Sequence, residues 1–277
     1  MGWFEALVLG IVQGLTEFLP ISSSAHQSIV GQFFGGGDVG AAFTAITQLG
    51  TEAAVILYFR RDIGRIISRW AGSLVRRVPS DDPDARMGWL VIIGSVPIVL
   101  LGLLLQDAID SAFRNLWVTA AMLAGFGVII GVADRLARNV RPLTSLTWGH
   151  GILFGLAQSL ALVPGVSRSG ATISAGLALG YTREAATRYS FLLAIPAVVG
   201  SGLFKLADVS ADPTPPAWGP ILLATVVSFV IGYVVIAWLL RYISTHNFLP
   251  FVVYRIALAV LVAVLLLTGV LEALPQG

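Results

Sequence analysis

Two short segments of this 277-residue chain collect polar side chains within otherwise apolar sequence. The first segment, QGLTEFLPISSSAH (13–26), places Gln13 and Glu17 four residues apart, so on a helix they share one face. Beyond a helix-breaking proline, Ser23 and His26 are three residues apart, the spacing of a nucleophile and its base within one helical turn. A hydroxyl, an imidazole and a carboxylate this close together make the segment a candidate functional site.

The second segment, VPGVSRSGAT (163–172), carries the groups of an anion site. Arg168 supplies a planar fork of donors, and the flanking glycines let the backbone approach a ligand closely. Helices that restart after the two prolines would add free N–H groups in their first turns, which favour phosphate. Beside such an anion, the carboxylate of Glu17 predicts a bridging divalent cation, Mg²⁺ or Ca²⁺. The residues that we assign to substrate binding are Gln13, Ser22, Ser24, Ser167, Ser169, Gly170 and Thr172.

The composition excludes a soluble enzyme and a nucleic-acid-binding module. Only 12% of the residues are charged and 56% are hydrophobic, with a mean hydropathy of +0.86, whereas soluble domains carry about 25% charged residues. The chain has no cysteine and three dispersed histidines, which argues against thiolate chemistry and a zinc site. We therefore predict an all-α integral membrane protein.

Six apolar stretches are long enough to cross a bilayer, which takes roughly 20 residues. Two shorter apolar helices, 3–19 and 148–163, lead into the polar segments and are predicted to turn back as re-entrant helical hairpins. Arginines crowd the loops on one side of the six transmembrane helices, while Arg114 and Lys205 lie on the other. By the positive-inside rule, both termini and the PTPP loop (213–216) face outward in a multi-pass plasma-membrane protein. The six predicted spans are 40–60, 88–106, 115–134, 184–206, 218–240 and 249–270.

The two polar segments also belong to an internal repeat. GIVQGLTEFLPISSS (10–24) aligns with GLAQSLALVPGVSR (155–168), and three predicted spans follow each of them. Because three is odd, the halves enter the membrane from opposite sides, which predicts an inverted-topology repeat with halves 1–140 and 145–277 in one membrane domain, 1–277. Broken helices of such repeats meet near the membrane middle, so we expect the two polar segments to face one cavity.

Ionisable groups at membrane depth are costly and mark functional sites by default. This argument selects Glu17, His26 and Arg168. Glu52 and Arg255 also lie in apolar stretches, and the sequence leaves two interpretations open: they pair with each other, or they belong to the site. Small residues also mediate helix packing in membranes, and for Ser22, Ser24 and Ser169 that interpretation stands beside the functional one.

The pair of segments QGLTEFLPISSSAH and PGVSRSGAT resembles the signature of the bacterial undecaprenyl-diphosphate phosphatases, membrane enzymes that recycle the C55 lipid carrier of cell-wall synthesis. The resemblance spans essentially the whole chain and includes QLG (48–50) and YRIALA (254–259). It implies the same activity here, with a polyprenyl diphosphate lipid as substrate and membrane lipids, not nucleic acid, as surroundings. The oligomeric state stays open, a homodimer included.

Carried over by position, the resemblance implies that Glu17 belongs to an acidic catalytic motif and that Arg168 binds the diphosphate. It also implies that Ser23 and His26 are the nucleophile and the acid–base residue. Gln13 stands where many family members have a second glutamate, so a two-carboxylate metal site is in doubt, and Glu17 with the amide oxygen of Gln13 is the remaining ligand set.

These inferences combine into one mechanistic hypothesis. Ser23 attacks the terminal phosphorus after losing its proton to His26, while Arg168 clamps the diphosphate and Glu17 holds the cation. Direct attack by His26 or by water is the alternative mechanism. The alternative function is a lipid-phosphate transporter or flippase that uses the same site, because inverted repeats with broken helices suit alternating access. From the predicted topology, the active site faces outward.

Overall fold

The computed structural model describes residues 1–34, 41–79, 81–105, 115–210 and 217–274, and these are arranged as a bundle of helices. Arg114 and the PTPP loop, which entered the topology prediction, lie outside the described residues. The helices are α1 (Trp3–Thr16), α2 (Ser23–Gln32), α3 (Ala41–Tyr58), α4 (Arg60–Leu74), α5 (Pro83–Leu104), α6 (Leu116–Leu136), α7 (Trp148–Ser159), α8 (Arg168–Ala178), α9 (Arg183–Ser210), α10 (Trp218–Ile243) and α11 (Leu249–Leu267).

Within the described ranges, five helices are long and apolar enough to cross a membrane: α5, α6, α9, α10 and α11. The prediction of an all-α membrane protein is therefore confirmed. The first of the six predicted spans, 40–60, is not among these five. It forms the 18-residue α3, which carries Gln48 and Glu52 in its middle.

Each polar segment forms a helix, a break and a second helix, as predicted. The second helices, α2 and α8, begin immediately after Ser22 and Ser167, whose φ angles are 74° and 71°. Such angles are strained for a residue with a side chain. In both breaks the serine hydroxyl accepts a hydrogen bond from a backbone N–H three residues later, that of Ala25 or Gly170. The same unusual turn thus occurs 145 positions apart.

The first helix of each hairpin packs against a long helix from the other half of the chain. Helix α1 packs on α10, and α7 packs on α5. At corresponding places a Cβ atom on Gly10 would lie 2.7 Å from the carbonyl oxygen of Ala224, and one on Gly155 would lie 2.5 Å from that of Gly94. Only glycine allows these close approaches. This reciprocal packing supports the predicted repeat, whose boundaries stay a prediction.

Helix α4 lies beside the start of α5 in the arginine-rich part of the chain. Arg65 and Arg69 pair with Asp84 and Asp82 at 2.8 and 2.6 Å. Asp82 caps α5, and its hydrogen bond from the Ala85 N–H, followed by the Arg69 contacts, lowers the pKa of its carboxyl. These contacts hold α4 against the N-terminal end of α5.

Candidate active site

A cavity of about 610 Å³ connects the two breaks. The first turns of α2 and α8 both reach it, so their free backbone N–H groups and their side chains share one space. Its polar lining consists of Glu17, Ser22, Ser23, Ser24, Gln48, Ser167, Arg168, Ser201 and Lys205. The structure therefore brings the two polar segments together, as expected for the broken helices of an inverted repeat.

Glu17 accepts hydrogen bonds from three residues of this site, and its side chain is 5% exposed. Its Oε1 accepts a hydrogen bond from Nη2 of Arg168 at 2.6 Å. Its Oε2 accepts one from the Ser23 hydroxyl at 2.6 Å and one from Nε2 of Gln13 at 2.8 Å. The carboxylate is thus in direct contact with the hydroxyl whose proton must leave if that oxygen is to attack.

The predicted contact between Ser23 and His26 is replaced by others. Nδ1 of His26 lies 2.7 Å from the backbone carbonyl oxygen of Ser22, and Nε2 lies 2.6 Å from the hydroxyl of Tyr254. His26 is buried and is not part of the cavity lining. The spacing of three residues in one helix was correct, but the imidazole folds back on its own turn and leaves Glu17 as the partner of Ser23.

The expected metal ligands, Glu17 and Gln13, do not form a cation site in this arrangement. Gln13 presents its NH₂ group to Glu17, and its oxygen accepts instead from Nε2 of Gln27 at 3.3 Å. No group of three or more Asp, Glu, His or Cys side chains that could hold a metal occurs among the described residues. Gln13 is therefore a fully buried support of Glu17.

Four of the predicted substrate-binding residues, the Gln13 already described among them, lie outside the cavity lining and have partners within the protein. The Ser169 hydroxyl donates to the carbonyl of Leu19, and Thr172 is buried against the backbone of Arg168 and the hydroxyl of Ser190. The Gly170 N–H caps the turn on Ser167, as described above. Ser169, Gly170 and Thr172 hold α8 in place, whereas Ser22, Ser24 and Ser167 line the cavity.

Arg255 does not pair with Glu52. It is fully buried and donates to backbone carbonyls of both breaks and of α6. The acceptors are Pro20 at 3.0 Å, Met122 at 3.2 Å, Leu123 at 3.1 Å, Gly165 at 2.7 Å and Val166 at 3.2 Å. The sequence marked Arg255 as a costly buried charge, but its acceptors are backbone atoms, which a residue pattern does not identify.

Glu52 is 1% exposed, and its Oε1 has no hydrogen-bond partner in the described part of the chain. It interacts electrostatically with both Arg168 and Glu17. The similar pentapeptides QGLTE (13–17) and QLGTE (48–52) place both glutamates one helical turn after a glutamine. Glu52 thus belongs to the electrostatic surroundings of the site.

Away from the two breaks the lining of the cavity is mostly apolar, with Ser201 and Lys205 of α9 as polar exceptions. Its walls there come from the C-terminal halves of α5 and α9, each of which contains a proline inside the helix, Pro97 and Pro196. Sequence alone had not located such a space. The apolar side chains that line the cavity include Ile98, Val99, Leu103, Leu162, Val198 and Phe204.

Comparison with known proteins finds one family model and several close relatives that match most or nearly all of the chain. The family model described as "Bacitracin resistance protein BacA" matches residues 6–261. An undecaprenyl-diphosphatase of Micrococcus luteus is 62% identical over 277 residues, covering 99% of this chain and 100% of the relative. One of Kineococcus radiotolerans is 63% identical over 273 residues, 99% of this chain and 97% of the relative. The undecaprenyl-diphosphatase 2 of Streptomyces coelicolor is 58% identical over 284 residues, 98% of this chain and 97% of the relative.

Proposed function

This chain belongs to the bacitracin resistance protein BacA family, and we propose that it hydrolyses undecaprenyl diphosphate to undecaprenyl phosphate and inorganic phosphate. The observation that carries the proposal is the 2.6 Å hydrogen bond from the Ser23 hydroxyl to Glu17, at a cavity that Arg168 also lines. A nucleophile, a proton acceptor and an anion clamp are thereby present in one place.

The diphosphate binds between the first turns of α2 and α8. Their backbone N–H groups and the guanidinium of Arg168 surround it with donors, which favours an anion and stabilises the charge of phosphoryl transfer. Arg168 leaves Oε1 of Glu17 for the phosphate oxygens, because the diphosphate carries more negative charge than the carboxylate and competes with it for the guanidinium. Substrate binding then frees Glu17 for proton transfer.

Glu17 takes the proton of Ser23, and Oγ of Ser23 attacks the terminal phosphorus. The bond from that phosphorus to the bridging oxygen breaks, and undecaprenyl phosphate leaves with the bonding electrons. Water then attacks the phosphoserine, its proton passing to the departing phosphate, and Glu17 returns its proton to Oγ of Ser23 as that oxygen leaves. His26, which the sequence had suggested as the base, takes no part in this proton transfer, because both its ring nitrogens are engaged elsewhere.

A divalent cation, Mg²⁺ or Ca²⁺, remains part of the proposal as a companion of the substrate. Among the described residues Glu17 is the one carboxylate in the lining, so most ligands of such an ion have to be diphosphate oxygens and water. When bound, the cation supplies neutralisation of the diphosphate charge.

The apolar part of the cavity accommodates the start of the polyprenyl chain. Its walls include Leu103 and Phe204, near the ends of α5 and α9 that are remote from the arginine-rich loops. By the positive-inside rule these ends face the outside of the plasma membrane. We therefore place the active site on the outer side, with both termini outside.

A lipid-phosphate transporter would need the same clamp but no nucleophile. The contact between Ser23 and Glu17 is the observation that favours hydrolysis over transport alone. Translocation of the product by the same protein is compatible with this assignment.

The test is phosphate release from undecaprenyl diphosphate by the purified protein in detergent, with Mg²⁺, with Ca²⁺ and with EDTA. Ser23→Ala and Arg168→Ala should each abolish release. Ser244→Ala is the matched control, since Ser244 is exposed and lies outside the cavity lining, and it should retain activity. Folded wild-type protein that releases no phosphate under any of these conditions would overturn the enzyme assignment in favour of transport.

A further inference from the structure

Tyr254 is the partner of His26, and the pair lies behind the reaction centre. The Tyr254 hydroxyl lies 2.6 Å from Nε2 of His26, and the two rings are nearly parallel, with an interplanar angle of 4° and centroids 5.6 Å apart. Tyr254 is on α11 and His26 is on α2, 228 positions earlier in the sequence. The contact therefore ties the last helix to the first broken hairpin.

The hydrogen bonds define which nitrogen of the neutral imidazole carries the proton. Nδ1 faces the carbonyl oxygen of Ser22, which can only accept, so Nδ1 must carry the hydrogen. Nε2 then has a lone pair and accepts from the Tyr254 hydroxyl. Without that donor, the ring would be free to place its proton on Nε2 and give up the bond to Ser22.

The carbonyl that His26 holds belongs to the strained residue of the turn. Ser22 has a φ of 74°, and the next residue is Ser23, whose hydroxyl contacts Glu17. Arg255, the neighbour of Tyr254, binds the carbonyl of Pro20 at the other end of the same turn. Two consecutive residues of α11 thus fix the break from both ends, one directly and one through His26.

We propose that Tyr254 is a positioning residue of the reaction centre, acting through His26 to hold the Ser22 turn that presents Ser23 to Glu17. The effect on rate rests on the proposed phosphatase function, whereas the contact itself does not. Because the pair lies outside the cavity lining, its loss acts on the placement of the nucleophile and not on the binding of the diphosphate. Errors in the placement of reacting groups affect kcat strongly.

The experiment compares Tyr254→Phe with Tyr233→Phe, a matched control whose ring packs edge-on against Tyr58. Phosphate release from undecaprenyl diphosphate gives kcat and KM, and ¹⁵N-histidine NMR, assigned with a His26→Asn sample, gives the tautomer of His26. We expect wild-type protein to show the Nδ1–H tautomer. In Tyr254→Phe the Nδ1–H tautomer of His26 should no longer predominate. The kcat should fall about tenfold with KM unchanged, the effect of one lost hydrogen bond.

Two results would overturn the proposal. One is an Nε2–H tautomer of His26 in the wild-type protein, a measurement that needs no variant to fold. The other is a Tyr254→Phe protein with the kcat and the histidine spectrum of Tyr233→Phe. A wild-type protein with the expected tautomer but no phosphate release would instead contradict the proposed function and leave the contact confirmed.

Discussion

Nη2 of Arg168 lies 2.6 Å from Oε1 of Glu17, an ion pair between residues 151 positions apart that joins the two broken segments within the cavity. The pair neutralises both charges in a largely buried place, where an unpaired charge would be costly. In the proposed mechanism it also couples the clamp to the proton acceptor, because a diphosphate that draws Arg168 away releases Glu17. The ion pair thus holds the proposed site in place until substrate binds.

Glu17→Gln should lower phosphate release by at least about 1,000-fold. The glutamine side chain keeps the shape of glutamate, but its amide cannot accept the Ser23 proton. Affinity for the diphosphate should be maintained, since Arg168 loses its competing carboxylate partner. Single-turnover phosphate release and binding of the lipid to the variant would measure the two effects. Glu184→Gln, at an exposed pair with Arg188, is the control, and equal activity in both variants would exclude Glu17 as the base.

Arg255→Met should destabilise the protein by about 3 kcal/mol or more, because five backbone carbonyls lose their common donor in a buried place. Thermal unfolding in detergent would show this as a lowered Tm. The exposed Arg241 gives the matched control, and Arg241→Met should leave the Tm almost unchanged. Equal melting of the two variants would show that Arg255 does not hold the breaks together.

Glu52→Leu should raise the Tm, because the variant removes a buried carboxyl with an unpartnered oxygen and keeps the apolar volume. The expected gain is about 1 kcal/mol. Glu184→Leu, at a side chain that is 53% exposed, should change stability by less than about 0.5 kcal/mol. A lowered Tm for Glu52→Leu would mean that Glu52 has a stabilising partner in the membrane-embedded protein.

Gln13→Glu should make phosphate release depend more steeply on Mg²⁺ or Ca²⁺. The variant replaces a donor to Glu17 by a second carboxylate, and two adjacent carboxylates repel each other until a cation binds between them. Activity measured over a range of cation concentrations should be lower than wild type in EDTA and should saturate at less cation. Gln158→Glu makes the same change at the matching position of the other half. An unchanged cation dependence in Gln13→Glu would show that this position does not face the cation.

The sequence by itself determined the class of the protein and the two segments that form its candidate site. Apolar stretches of membrane length, the prolines and serines of two segments and their similarity 145 positions apart predicted a helical membrane protein with two broken hairpins. Charge in apolar surroundings then selected Glu17, His26 and Arg168, because a buried ionisable group is costly and marks a functional site by default. These features are local or periodic, so they can be recognised in the order of residues.

The tertiary structure decided which of these groups touch each other. Ser23 and His26 share a helical turn, yet Ser23 binds Glu17 and His26 binds Tyr254, a residue of the last helix. The partners of Arg255 are backbone carbonyls from three regions of the chain, and the amide of Gln13 turns its nitrogen toward Glu17. Helical spacing shows which side chains can meet within one turn, whereas these contacts depend on how separate helices pack, and that packing brings distant residues within hydrogen-bonding distance.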